Sequence, residues 1–204
     1  MIDAAIYKQV MGSFPSGVTV ITTLDDDGQI VGLTASAFSS LSMDPALVLF
    51  CPNYSSDSYP VLIKQKRFAI HLLSGEQQAE AYAFAKKGKD KATGIEWTLS
   101  ALGNPLLANA TAIIECELWR EYEGGDHAIM VGAVKNLIVP EQPASPMIYC
   151  RGKMGALPAL AAAETLALQC GQLFDPGSGR NLDQRTVLVE DGKVSAVRPG
   201  FDAP

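Results

Sequence analysis

The side chains best suited to hold an anion lie between Gly32 and Cys51, in the stretch GLTASAFSSLSMDPALVLFC. Thr34, Ser36, Ser39, Ser40 and Ser42 set five hydroxyls between two apolar runs. The second run, Ala46 to Cys51, is long enough for one buried strand. Hydroxyls so placed, with the neighbouring backbone N–H groups, can turn toward a phosphate where no glycine-rich loop does so. The plainer alternative makes TASAFSS the edge and turn of a barrel strand, its hydroxyls bonding their own backbone.

The chain has two histidines. His71 lies inside the apolar run RFAIHLL and reads as a core histidine with its ring nitrogens satisfied. His127 follows Gly125 and Asp126 at the mouth of a hairpin, where an imidazole can reach a ligand, although a structural role fits it equally well. So few histidines leave little material for a hydrolytic triad or a histidine-rich metal site. No G-x-G-x-x-G follows a strand, and neither G-x-x-x-x-G-K-[ST] nor G-x-S-x-G occurs.

A net charge of -6 argues against a nucleic-acid partner, which needs a basic stripe. The one basic cluster, Lys86, Lys87, Lys89 and Lys91, is interrupted by Asp90 and reads as a solvated helix end. Cys51, Cys116, Cys150 and Cys170 lie far apart and show no C-x-x-C spacing, so reduced thiols in a cytoplasmic protein are expected, with no metal site. No apolar run reaches the roughly 18 residues of a membrane span, and the start MIDAAIYKQV lacks the basic opening of a leader. The expectation is therefore a protein with no membrane partner.

The elements that must position these residues follow from periodicity. Ile2, Ala5, Ile6, Val10 and Met11 recur at helical spacing, which predicts a helix over residues 2–12. Val18 to Leu24 and Gln29 to Leu33 read as strands joined by an Asp-rich turn. After the strand Ala46 to Cys51, a polar loop leads to a short helix with Asp57 or Ser58 at its cap and Pro60 in its first turn. Arg67 to Leu73 is a strand, and the S-x-x-Q box of Ser74 and Gln77 opens a helix from about Gly75 to Ala85. Trp97 to Leu107 reads as irregular.

Ala110 to Tyr122 alternates Ile114, Cys116 and Leu118 against Glu115, Glu117 and Trp119, as a half-buried antiparallel strand does. His127 to Leu137 is its partner and Met147 to Cys150 a last short strand. Six or seven strands with only short helices between them predict a mainly β fold, an antiparallel barrel closed or nearly closed, with helices at its ends.

FPSGVTVITT, GLTASAFSSLSMDPALVLFC, RFAIHLL, the AFA of residues 83–85 and the GDH of residues 125–127 stand in the order and spacing of the short-chain flavin reductases, which this chain resembles over residues 5–152. The resemblance implies an FMN-binding split barrel, usually a homodimer. Its implied activity is oxidation of NADH or NADPH with reduction of FMN or FAD, the reduced flavin serving a partner monooxygenase. It also implies that Thr34, Ala35, Ser36, Ser39 and Ser40 hold the flavin's phosphate, ribityl chain and ring edge, with Cys51, Asn53, Ser55 and Ser56 continuing that wall. Pro15, Ser16 and Gly17 would border the nicotinamide, and His127 would help place it. A flavin carrier or redox-sensing module with little turnover is the alternative.

Two stretches depart from the family pattern. Tyr149-Cys150-Arg151-Gly152 has one aromatic residue where the family commonly has two before Arg-Gly. Residues 156–163 are alanine-rich and linker-like, and the remainder resembles the opening β-segment of amidohydrolases without their H-x-H metal pair. Asp191-Gly192 signals a hairpin between Thr186–Glu190 and Lys193–Val197. The expected organisation is a reductase-like domain over residues 1–155 and a linker with a β-hairpin appendage over residues 156–204, which packs on the barrel or on a second subunit.

Overall fold

The computed structural model describes residues 2–88, 90–157, 166–190 and 192–201, and divides the chain into two compact units, Met1–Leu157 and Pro158–Pro204. The first opens on helix α1 (Ala4–Gly12), where the Asp3 carboxylate accepts the Ala5 and Ile6 N–H groups as an N-cap. Strands β1 (Ser16–Gly17), β2 (Thr19–Leu24), β3 (Ile30–Ala35), β4 (Phe38–Met43) and β5 (Ala46–Phe50) follow, then α2 (Tyr59–Gln65), β6 (Arg67–Leu72) and α3 (Gln78–Ala85). The short strands β7 (Trp97–Leu99) and β8 (Pro105–Leu107) precede the long pair β9 (Ala112–Gly124) and β10 (His127–Ile138). Strands β11 (Met147–Cys150) and β12 (Lys153–Ala156) complete the unit.

Seven strands form one antiparallel sheet in the order β3-β2-β6-β9-β10-β5-β4. Strands β3 and β4 occupy opposite ends of that order, yet only Ser36 and Ala37 join them. The sheet must therefore curl until its two edges meet, and they meet without pairing: a barrel with a split in its wall.

Alternation along the strands divides the core. Ile21, Phe50, Phe68, Ile70 and Met130 fill the barrel interior, Phe50 and Phe68 meeting edge to face with ring centroids 5.2 Å apart. Val20, one residue before Ile21, faces the other way and packs with Leu73, Phe84, Leu107 and Met147 beneath α3. Strand β2 is buried on both faces, which is why it reads as a continuous run. Its threonines are satisfied: Thr19, Thr22 and Thr23 donate to the carbonyls of Ala35, Pro105 and Arg67 at 2.8 Å each.

Three local expectations change. The stretch 97–107 is not irregular: β7 and β8 pair as a hairpin. The loop between them carries Ser100 and Asn104 onto Glu115, which also accepts from Asn136, so Glu115 is buried and not part of a solvated face. Burial raises its pKa, but the hydrogen bonds from Asn136, Ser100 and Asn104 outweigh it and hold the carboxyl below its usual range. The helix expected from Gly75 begins at Gln78. Gln77 still reaches back to the Ser74 N–H at 3.0 Å, but across a turn that precedes the helix.

The second unit is a three-stranded antiparallel sheet, β13 (Leu166–Asp175), β14 (Arg180–Glu190) and β15 (Lys193–Pro199), in that order. The expected hairpin is its second half. The sequence reading missed β13 because its exposed and half-buried residues do not alternate cleanly. Asp191, half of the turn signal, and most of the alanine-rich linker lie outside the described residues.

Candidate cofactor cleft

A cleft of about 330 Å³ opens at the split. The end of β3 and its link to β4 form one wall with Thr34, Ala35, Ser36 and Ala37. The loop after β5 forms the opposite wall with Cys51, Asn53, Ser55 and Ser56, and His127 stands at one end. Strand geometry explains why polar backbone faces this space. The Gly32 carbonyl points away from β2, because it accepts the Ser58 hydroxyl at 2.5 Å and the Lys91 ammonium at 3.0 Å. In an antiparallel strand a residue's N–H and C=O share a side, and the pattern repeats every second residue. Thr34 therefore turns its main-chain groups outward too, on an edge beyond which no described strand pairs.

The hydroxyls divide into committed and available ones. Thr34 Oγ1 donates to the Ala81 carbonyl of α3 at 2.6 Å, so it anchors the helix and offers its backbone, not its hydroxyl, to the cleft. Ser36 and Ser55 are exposed on the two walls. Asn53 Oδ1 accepts the Ser55 N–H at 2.8 Å and shapes the loop. Cys51 is half-buried, and burial pushes its thiol pKa up, so it is an uncharged wall residue.

His127 begins β10 after a two-residue turn in which Gly125 takes φ +77°, the glycine position of a II′ hairpin. Its Nδ1 lies 2.8 Å from Asp126 Oδ1, and a β-bridge to Asn53 holds its backbone beside the opposite wall. With Nδ1–H donated to the carboxylate, Nε2 is left for a ligand. The same hydrogen bond and charge hold the Asp126 carboxyl below its usual range.

Cations were missed by the sequence reading. Lys86 and Lys87 leave the C-terminal end of α3 at the rim of the cleft and Lys91 enters its wall, so these lysines are not merely a solvated helix end; Lys89 lies outside the described residues. The signal was present as three lysines directly after a helix packed on the hydroxyl-bearing strand, but Asp90 disguised it. Asp90 takes φ +63° in the turn there and is not part of the wall. Burial pushes the Lys91 pKa down, with Asp57 acting against the shift. Cationic, hydroxyl and outward N–H donors around one cleft suit a phosphate-bearing ligand with a flat apolar part, which Phe84, Leu33 and Pro52 can face.

Other expected residues lie elsewhere. Ser16 and Gly17 form β1, which pairs with β11 through Tyr149 and Ile148, and Pro15 precedes it; none of these lines the cleft. Ser39 and Ser40 lie on β4 beyond the link, exposed, with the Ser39 hydroxyl donating to the Ser40 carbonyl at 2.9 Å. Strand β4 runs away along β5, so only the residues before its start reach the cleft. His71 lies far from solvent: its Nδ1 donates to the Val20 carbonyl at 3.0 Å and its Nε2 accepts the Leu107 N–H at 3.1 Å. All four cysteines are free, and among the described residues no cluster of potential metal ligands occurs. No described helix is long and apolar enough to cross a membrane.

Residues 11–158 match the family model described as a flavin reductase like domain. The reductase subunit of a flavin-dependent monooxygenase from Rhodococcus jostii is 39% identical over 152 residues, 74% of this chain and 77% of its own. The stachydrine N-demethylase reductase subunit of Rhizobium meliloti is 31% identical over 201 residues, 98% of this chain and 85% of its own, so that similarity extends over the C-terminal unit as well. Among solved structures, the NADH:FAD oxidoreductase of Streptomyces globisporus, in complex with NAD and FAD fragments, superposes with a TM-score of 0.73 at 33% identity over 78% of this chain and 95% of its own.

Proposed function

The chain belongs to the flavin reductase like domain family, and from that membership we propose that it oxidises NADH or NADPH and reduces FMN or FAD in the cleft at the barrel's split. The observation that carries the placement is the meeting of the Thr34–Ala37 edge, the Asn53–Ser56 loop, His127 and the lysines 86, 87 and 91 around one opening. When bound, nicotinamide and flavin supply the hydride chemistry themselves, so the transfer asks no acid–base step of the cleft. The chain's part is to bind, orient and exclude water.

In this reading the ammonium groups of Lys86, Lys87 and Lys91, with the Ser36, Ser55 and Ser56 hydroxyls, hold the flavin phosphate. The outward backbone of Thr34 and Ala35 holds the ring edge, and Cys51 and Asn53 wall it. His127, fixed by Asp126, places the nicotinamide through Nε2. Pro15, Ser16, Gly17, Ser39 and Ser40 do not line this cleft and take no part in it in this reading.

The partner is a flavin-dependent monooxygenase that receives the reduced flavin; the reductase subunits among the relatives support this. The working form is a homodimer. Helix α1 buries none of its residues, and Ile6, Val10 and Met11 lie exposed on it, as does Met43 on β4 at 93% exposure; apolar surface of this kind marks a protein contact. Four free thiols fit the reducing cytoplasm.

The test is consumption of NADH or NADPH by the purified full chain with added FMN or FAD, read from loss of reduced-nicotinamide absorbance. Flavin-dependent loss is expected; none with any pairing would remove the assignment. Lys87→Met with Lys86→Met should weaken FMN on the order of tenfold while leaving riboflavin, which has no phosphate, unchanged. Equal weakening of both would mean that the lysines do not hold the phosphate.

A further inference from the structure

The two outer strands of the second unit's sheet are unlike. Strand β15 carries Lys193, Arg198 and Pro199, residue types that keep a strand edge from pairing with another chain. Strand β13 has no such protection: from Leu166 to Phe174 it holds no charge and no proline, and on the side away from β14 no described strand pairs with it. Leu166, Leu168 and Phe174 lie exposed on it, at 53%, 44% and 63%. We propose that this edge pairs, antiparallel, with the same edge of a second copy of the chain about a two-fold axis through Cys170, so that the two small sheets become one continuous sheet. The inference goes beyond the flavin reductase reading and does not rest on it.

Symmetry selects both the occupant and the register. Where two identical antiparallel strands lie side by side about a two-fold axis, the axis stands perpendicular to the sheet and one residue faces its own copy. With Cys170 on the axis, Leu166 faces Phe174 and Ala167 faces Leu173; the axis repeats both pairs, so the exposed leucine and phenylalanine cover each other. Leu168 then faces Gln172, and Gln169 faces Gly171. An axis at Gly171 keeps one apolar pair, Leu168 with Phe174, but sets Ala167 against Asp175 and Leu173 against Gln169. An axis at Gln169 sets Leu166 against Gln172. Such self-complementarity is what a second copy requires and what a foreign strand does not. Charge agrees: each chain carries a net charge of -6, so two copies meet with least repulsion along an uncharged strip. Main-chain hydrogen bonds along the edge supply the attraction, and the cross-strand pairs fix the register.

Cys170 is a free thiol and reports the contact directly. Facing residues of an antiparallel pair have Cα atoms about 4.5 to 5.5 Å apart, inside the roughly 4.4 to 6.8 Å that a disulfide spans. The full chain is treated with diamide, which takes up the electrons and protons that two paired thiols release. A covalent dimer is expected, its bridge assigned by peptide mapping to Cys170 and its copy, and Cys170→Ser should abolish it. Leu168→Lys puts a charge on the edge and should lower the yield several-fold. The register is read in the Cys170→Ser chain. There Leu166→Cys alone and Phe174→Cys alone should give no dimer, because each stands about 27 Å from its own copy at roughly 3.4 Å per residue; the two together should restore it. Absence of a Cys170 bridge in the unaltered chain overturns the inference. So does a yield that Leu168→Lys leaves unmoved, or Leu166→Cys bridging alone as readily as Cys170, which marks collision and not a register. Because the readout lies on the strand itself, a dimer held through α1 does not imitate the expected pattern. The bridge in the unaltered chain tests the contact even where a variant does not fold.

Discussion

The two histidines show how position sets the role of one side chain. His71 is wholly buried with both ring nitrogens used, and burial outweighs its hydrogen bond to Val20, pushing its pKa from 6.5 down to about 4. Above pH 6.5 the ring is neutral in both folded and unfolded chains and the fold has its full stability. As pH falls from there toward 4, the unfolded chain takes a proton that the native ring refuses, and roughly 3 kcal/mol is lost over that window. Glu115 loses its contribution at lower pH, because its folded pKa lies below its unfolded one. Urea unfolding from pH 7 to 4 should show the loss, and His71→Gln should flatten it. A slope unchanged in that variant would assign the effect elsewhere. His127, 42% exposed and braced by Asp126, belongs to the cleft. His127→Ala should raise KM for the nicotinamide several-fold with flavin affinity nearly constant. Asp126→Asn should reproduce part of that rise, since the ring loses its orientation and not its nitrogen. Equal loss for flavin and nicotinamide would mark His127 as structural.

At the level of elements, the cleft depends on how closely α3 lies on β3. A Cβ on Gly32 would meet the Ile21 carbonyl at 2.6 Å and the Phe84 ring at 2.9 Å, so only glycine allows that contact. Gly32→Ala should cost about 1 to 3 kcal/mol, seen as a lower Tm, and should weaken flavin binding further because Lys86 and Lys87 directly follow α3. A Tm within a degree of the unaltered chain would show that helix and strand can part without penalty. Polar pinning does the same service on the other side, where Ser100, Asn104 and Asn136 hold Glu115 and attach the β7–β8 hairpin to β9. Neither attachment follows from periodicity, since both join segments that are remote in sequence.

For the whole molecule, the boundary between the units is a structural matter. Strand β12 runs through Ala156 and pairs Ala156 with Met147, and Leu157 N–H still donates to the Pro146 carbonyl at 2.8 Å. A chain ending at Gly152 or 155 would remove or cut that strand, whereas one ending at Leu157 keeps the first unit intact. The 1–157 fragment should therefore keep a cooperative thermal transition and FMN affinity close to that of the full chain, by calorimetry. Loss of flavin binding with the fold retained would show that the second unit takes part in the site. A changed elution volume with flavin binding intact would assign the second unit to assembly.

The hydrophobic pattern determined most strands within a residue or two, the short helices and the mainly β class, because burial alternates with a period the sequence displays directly. The resemblance brought thirteen residues forward, of which Thr34, Ala35, Ser36, Cys51, Asn53, Ser55, Ser56 and His127 line one cleft and Pro15, Ser16, Gly17, Ser39 and Ser40 do not. What the tertiary structure decided is which donors face it. Curling of the sheet brings the lysines after α3 to the edge of β3 and takes Ser39 and Ser40 away along β4. It turns the Thr34 hydroxyl into the anchor of a helix and buries Glu115 under a loop the pattern leaves shapeless. Sequence periodicity records which face of an element is apolar; it holds no record of which remote segment covers that face, and the cleft is made from such coverings.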